Sequence, residues 1–397
     1  MLDSSIGSAR SRTRGGHRLT RPCRGFSTLH LSSPVGARRQ TTIRGTTCSP
    51  SRRQCRLFGF FVSFLVFIAM ACANRRDARE NLVVYSTHGK ELLTEYETLF
   101  EKDNPGIDVQ WLDMGSQDVL DRLRSEKGNP QADLWWGAPS VLFQQGERDG
   151  LLQAYKPTWA THVLAEAHSP QDQWYGTYET PEVIAFNTAA VKPVEAPRDW
   201  DDLLDSKWQN RLIIRDPLAS GTMRTIFCAM ILRFYPASGS PEAGYQWLKK
   251  LDANTKDYVA NLTLLSQKLA RQEGWLTVWN MPDIELQRSR YNYPFGYVIP
   301  KSGTPVVTEG IALVAGSKRP EVGRRFYEFV TSKQSLRLAA QKFFRIPCRK
   351  DISPTDLPDW IKNTPVSPMP LDWKLLEENS NEWMKYWDAH IRNKGKS

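Results

Sequence analysis

Catalytic signatures are missing from this sequence of 397 residues. It has no GxSxG elbow, no HExxH pair, no GxxxxGK(S/T) loop and no GxGxxG fingerprint. A strained nucleophile, a zinc-held water, a phosphate cradle and a dinucleotide turn are therefore not written in it. Carboxylate-based catalysis leaves little trace in a single sequence, so a secreted hydrolase stays open. Cysteine is also scarce. Of six, Cys23, Cys48, Cys55 and Cys72 fall at the start, leaving Cys228 and Cys348 for the rest. No CxxC or Cys/His spacing exists to close a zinc site, so no metal or cofactor is expected. The two remaining thiols either pair or sit apart as buried groups. Acid is the third shortage, and it is local. Residues 1–71 contain 12 arginines, no lysine and a single acid, Asp3, against a formal +10 for the whole chain. From Cys72 onward the net charge is therefore about −1. The basic character belongs to the first 71 residues, and no basic face remains for a nucleic-acid partner.

Residues 1–56 are rich in Arg, Ser, Thr and Gly without apolar periodicity, and they predict no fold. Residues 57–71, LFGFFVSFLVFIAMA, form an uncharged apolar run behind Arg52, Arg53 and Arg56. The run is shorter than the roughly 20 residues of a membrane span and suits a signal-peptide h-region. Ala69-Met70-Ala71-Cys72 resembles the box at which bacterial lipoproteins are cut and acylated, with Ala69 where leucine is usual. Ala69-x-Ala71 also satisfies an ordinary signal peptidase. The expectation is an exported protein in the periplasm or on the outer face of the cell membrane. A lipid anchor on Cys72 would hold it there, with residues 72–80 as tether. Two other readings fit the basic start: an organellar transit peptide, or an upstream start site that adds about the first 50 residues. The h-region favours the second.

The remaining 326 or so residues suit two lobes better than one core. Asn81–Ser86 predicts a strand, Lys90–Asp103 a helix with Leu92, Leu93, Tyr96, Leu99 and Phe100 on one stripe, and Ile107–Leu112 a second strand. Ser116 is expected to cap a helix over 117–127. Asp133–Gly137 reads as a third strand, with Pro139 opening the next helix. A second block follows, with strands at Leu212–Ile214 and Leu276–Trp279 and helices at Gly221–Phe234 and Pro241–Leu251. Helices at Glu321–Ser332, Lys333–Phe343 and Leu371–His390 close the chain. This rhythm predicts an α/β fold with parallel sheets covered on both faces. Open α/β sheets bind ligands at strand-to-helix junctions. Three junctions qualify: Ser86-Thr87-His88-Gly89, Gly137-Ala138-Pro139-Ser140 and Ala219-Ser220-Gly221-Thr222. Helix N-termini there offer free N–H groups to an anion; plain helix capping is the competing role for each hydroxyl.

Leu82–Ser86, Asp133–Ser140, Asp216–Thr222 and Gly303–Leu313 together resemble the extracellular solute-binding proteins of ABC importers. The branch is the one that includes ferric-iron, phosphonate and sugar-phosphate binders. The resemblance spans roughly residues 81–350. It implies a type II periplasmic-binding fold, with two α/β lobes on a two-strand hinge near Glu182–Asn187 and Gly296–Gly303. Lobe I would hold 81–181 and 304–397, including the C-terminal helices, and lobe II 182–303. It also implies a monomer that passes a small ligand to a membrane permease, by hinge closure and without covalent chemistry. A ligand-sensing subunit for a membrane kinase would share the same cleft.

The iron binders of this family supply adjacent tyrosines after the strand corresponding to Leu276–Trp279. This chain has Asn280-Met281-Pro282-Asp283 there, and only Tyr291 and Tyr293 further on. His88 lies near a histidine of some iron binders. Ferric iron is thus the alternative, and a phosphate-, phosphonate- or carboxylate-bearing ligand is favoured. For that ligand Trp136 and Trp279 are candidates for stacking, and Asn280, Asp283 and Gln287 for hydrogen bonds. Arg215 and Arg224, flanking Ser220-Gly221-Thr222, are candidates for a bidentate anion contact.

Overall fold

A computed structural model describes residues 79–394, which lie within one unit spanning Ala71–Ser397. The basic leader, its apolar run and Cys72 lie outside the described residues. The chain begins β1 (Glu80–Ser86), α1 (Lys90–Asp103), β2 (Ile107–Asp113), α2 (Ser116–Ser125), β3 (Leu134–Pro139), α3 (Ser140–Arg148). A short β4 (Leu152–Gln153) and the long β5 (Tyr175–Asn187) follow. Next come β6 (Leu212–Arg215), α4 (Gly221–Leu232), α5 (Tyr235–Ser238), α6 (Glu242–Asn254), β7 (Thr255–Val259), α7 (Leu262–Ala270), β8 (Leu276–Asn280) and α8 (Met281–Tyr291). The chain closes with β9 (Phe295–Val298), β10 (Val306–Val314), α9 (Pro320–Val330), α10 (Lys333–Phe343), β11 (Ile346–Pro347), α11 (Asp359–Asn363) and α12 (Trp373–His390).

The strands run in the order β2-β1-β3-β10-β5-β8-β6-β7. β1 pairs in parallel with β2 and β3, and β6 in parallel with β7 and β8. All six residues of β3 are buried, as a parallel strand covered on both faces requires. The two parallel blocks are joined by β5, whose 13 residues serve both. Its first part, Tyr175–Pro181, pairs with β10. Its second part, Glu182–Asn187, pairs with β8 and β9. The chain returns between β9 and β10, where the Gly303 carbonyl accepts from Trp200 Nε1 at 2.9 Å. Thr304 exchanges backbone bonds with Ser367 and Met369, which tie a further crossing segment alongside. These are the hinge strands of a type II periplasmic-binding fold with two α/β lobes.

The last helix packs differently from the expected division. Trp387 of α12 lies edge-on to Phe227 of α4 at 5.4 Å and to Tyr258 of β7 at 5.1 Å. Arg392 beyond it pairs with Asp216 at 2.6 Å. α12 therefore caps the second lobe, because its indoles find the apolar back of α4 there. β7, α7 and α8 carried no clear apolar period in the sequence. In α8, Ile284 and Leu286 are buried on a helix otherwise crowded with charge. No helix among the described residues is long and apolar enough to cross a membrane.

Candidate functional site

Between the lobes lies a cavity of about 430 Å³, whose wall includes the starts of α1, α2, α4, α7 and α8. Each helix start presents N–H groups that its own ladder leaves unused. Ser220, Asn261 and Asn280 cap their helices, accepting from Met223, Leu264 and Asp283 N–H respectively. α1 and α2 instead start from Gly89 and Gly115, which have no side chain to cap with. Their first-turn donors remain available to an anion.

Thr87, His88, Ser220, Thr222, Trp279, Asn280 and Asp283 all line this cavity, and so do Arg215 and Gln287. Other expected residues stand behind it. Ser86 is fully buried and donates its hydroxyl to the Trp136 carbonyl at 2.6 Å. Trp136 is itself fully buried, edge-on to Tyr96 and Phe326, and so is a core residue without a face to offer. Gly137 has φ +91°, and a Cβ there would meet Thr87 Oγ1 at 2.7 Å, so its part is to let the strand turn under His88. Ser140 and Gly221 are outside the cavity wall. Gly221 donates its N–H to Ser116 Oγ at 2.8 Å, across the lobes. Ser116 is thereby the first residue of α2 and a bridge, not the expected cap. Arg224 points away. Its guanidinium bonds the carbonyls of Pro217 and Leu218 and, at 2.8 Å, Asn381 Oδ1.

Sequence reasoning missed the charged centre of the site. Arg345, buried just past α10, bonds Asp283 Oδ1 at 2.8 Å and Glu309 Oε1 at 3.3 Å. Asp283 also accepts from Trp279 Nε1 and Asn280 Nδ2, both at 2.9 Å. Burial pushes Glu309 up to about 7 despite Arg345. Burial, and then the charge of Arg345, hold His88 well below its usual range, so its ring is neutral against Trp136 and Tyr178. Glu309 lies inside the Gly303–Leu313 motif, but nothing in the sequence pairs it with Arg345. Arg215 is different in kind. Its guanidinium lies 5.2 Å from the Trp279 ring centroid and its Nε is buried without a partner. Asp283, Asp113 and Asp118 act on it only at a distance. Tyr291 and Tyr293 reach the same cavity, the Tyr291 hydroxyl donating to Glu91 of the other lobe. Among the described residues no group of three His, Cys, Asp or Glu is placed to hold a metal ion. Cys228 and Cys348 are separate buried thiols.

The two lobes, the crossing strand and a polar cleft ringed by helix starts fit one family. A profile of the bacterial extracellular solute-binding proteins matches residues 96–368. The chain belongs to that family. This solute-binding protein is similar to a probable ABC transporter periplasmic-binding protein of Sinorhizobium fredii, 25% identical over 79% of this chain and 87% of the relative. A Salmonella paratyphi A periplasmic protein named for 2-aminoethylphosphonate binding is 27% identical over 63% and 72% of the two chains. Iron uptake protein A1 of Synechocystis is 24% identical over 61% and 69%. Among solved structures, the periplasmic binding protein AfuA of Actinobacillus pleuropneumoniae, with fructose 6-phosphate bound, superposes with a TM-score of 0.69. It is 21% identical, and the match covers 79% of this chain and 99% of that one. The solute-binding protein thus shares its fold and family with periplasmic proteins of ABC importers.

Proposed function

We propose that the cleft captures a small ligand bearing a phosphate, phosphonate or carboxylate, and that the closed protein delivers it unchanged to an ABC permease. The observation that carries this reading is Arg215, a cavity-facing guanidinium with no carboxylate partner, set among helix starts that share its sign of charge. Relatives named for phosphonate binding and a structural neighbour holding a sugar phosphate support the same class. Trp279 is buried with Arg215 over its ring, so it backs that guanidinium and offers no free face for stacking, while Asn280, Ser220 and Thr222 bring polar atoms to the wall. Ferric iron is the second reading, since Tyr291 and Tyr293 share the cavity and an iron-uptake relative exists. Against it, the Tyr291 hydroxyl is already engaged by Glu91, and among the described residues no group of three His, Cys, Asp or Glu gathers beside the two tyrosines. Export by the apolar leader, acylation of Cys72 and a monomer in the periplasm complete the proposal. A kinase-coupled sensor would differ only in the membrane partner.

Mass spectrometry of ligand released from purified protein, with thermal-shift screening, tests the reading. Inorganic phosphate, methylphosphonate, fructose 6-phosphate or citrate should raise the melting temperature, because ligand on the native state stabilises it by mass action. If only ferric iron does so, with a phenolate absorption band, the iron reading takes its place.

A further inference from the structure

Asp283 reads in the sequence as a hydrogen-bonding partner for the ligand, but its surroundings give it other work. Three protein donors already meet its carboxylate. Oδ1 accepts from Arg345 Nη2 at 2.8 Å, and Oδ2 accepts from Trp279 Nε1 and Asn280 Nδ2, each at 2.9 Å. An ionised carboxylate only accepts, so to a bound anion it offers repulsion and no bond. Arg345 reaches it from the other lobe. That arginine follows the left-handed residue Phe344 at the end of α10 and precedes β11, which pairs with the first-lobe part of β5. Glu309 accepts from its Nη1 at 3.3 Å, so Arg345 is held within its own lobe as well. On the other side of Asp283 stands Trp279, 2% exposed, with the Arg215 guanidinium 5.2 Å from its ring centroid. The buried Nε of Arg215 has no partner, so the guanidinium takes its direction from the indole it lies on.

We infer that Asp283 is a positioning residue for the anion site: held from the opposite lobe by Arg345, it fixes the indole of Trp279 and, through that ring, the guanidinium of Arg215. This rests on the anion-capture reading above and adds how Arg215 is held. A ring free to turn would carry the guanidinium with it, and a directional charge-assisted contact weakens when either partner is displaced. The competing role is purely electrostatic. Asp283 acts on Arg215 through its field, and a negative charge beside the cleft works against any anion there. The two roles predict opposite signs. Removing the charge of Asp283 tightens anion binding if the field dominates, and weakens it if position does.

Calorimetric titration with methylphosphonate and with fructose 6-phosphate tests the inference. Asp283→Asn keeps the shape and should bind either anion about tenfold weaker, the scale of one hydrogen bond to a charged group. Trp279→Phe keeps every charge and leaves a ring beneath Arg215, but removes the bond to Asp283; it should lose affinity in the same direction. In an Arg215→Gln background neither change should cost more than about twofold, because the group they position is gone. A general loosening of the fold would instead add its cost in that background too. Equal or tighter binding by D283N, or a loss that adds in full to that of Arg215→Gln, overturns the positioning role and leaves anion capture standing. If Arg215→Gln itself costs nothing, or neither anion binds the wild type, anion capture falls and the inference falls with it. Should D283N not fold, Trp279→Phe carries the test alone. Affinity equal to the wild type then overturns the inference, and a loss seen only when Arg215 is present supports it.

Discussion

Arg215 and Arg224 flank the same turn, carry the same charge, and do unrelated work. Arg224 is 7% exposed and spends its donors on two carbonyls and Asn381, so it fastens the Asp216–Ser220 turn to α12. Arg215, at the end of β6, is held in a desolvating wall that lowers its pKa, with cation–π contact to Trp279 and no ion pair. An Arg215→Gln variant should lose about 10- to 100-fold in affinity for an anion, the loss of a charge-assisted contact. Its melting temperature without ligand should stay the same or rise, since an uncompensated buried charge has been removed. Arg224→Gln should do the reverse, lowering the melting temperature with affinity nearly unchanged. Calorimetry beside thermal melts separates the pair, and equal affinity losses would return Arg224 to the site. The sequence placed both arginines near the right turn but could not distinguish them. A strand end and a helix first turn send side chains to opposite sides, and that direction is set only when α12 takes its place.

Helix starts were the most legible elements of the site, because glycine, serine and threonine after an apolar strand mark them directly. What each does there was less legible. Ser116 read as a cap, whereas α2 starts from Gly115 and the Ser116 hydroxyl crosses the cleft to Gly221. Contacts between distant segments leave no periodic trace, and the same holds for Arg345 meeting Asp283 from 62 residues away. Gly115 itself supplies a test of closure. Its φ of −60° is open to any residue, but a Cβ there would lie 2.7 Å from the Ala219 carbonyl of the opposite lobe and 2.6 Å from Asp118 Oδ2. The side chain of Asp118 can turn aside; the Ala219 backbone cannot. Gly115→Ala should therefore keep the fold and both lobes while holding the cleft ajar. The expected result is a larger radius of gyration in ligand by small-angle scattering and about tenfold or more weaker binding. Unchanged scattering and affinity would mean that α2 and the turn before α4 do not meet on closure.

At the scale of the whole molecule, the segment where the lobes join carries buried acid. Glu182 begins the second-lobe part of β5, is completely buried, and has no hydrogen-bond partner on either carboxylate oxygen. Burial first, and then the charges of Glu309 and Asp283, raise its pKa well above the usual carboxylate range. Burial likewise takes Glu309 from the ordinary 4.5 to about 7. In the unfolded chain both groups release their protons near pH 4 to 5. Between there and about 7 the folded protein therefore holds protons that the unfolded chain has lost, and stability falls as pH rises through this window. The contribution is complete at the acid end and is lost above the folded pKa values, opposite to the usual behaviour of a salt-bridged carboxylate. Thermal melts from pH 5 to 8.5 should show a decline of several degrees attributable to these groups. Glu182→Gln keeps the shape and removes the ionisation, so it should melt higher than the wild type at pH 8 and show a shallower decline. A parallel pair of curves would mean that Glu182 stays protonated throughout and that Glu309, with Arg345, sets the pH response alone. Because Glu182 sits where β5 passes from one lobe to the other, the same variant should also bind ligand with less dependence on pH.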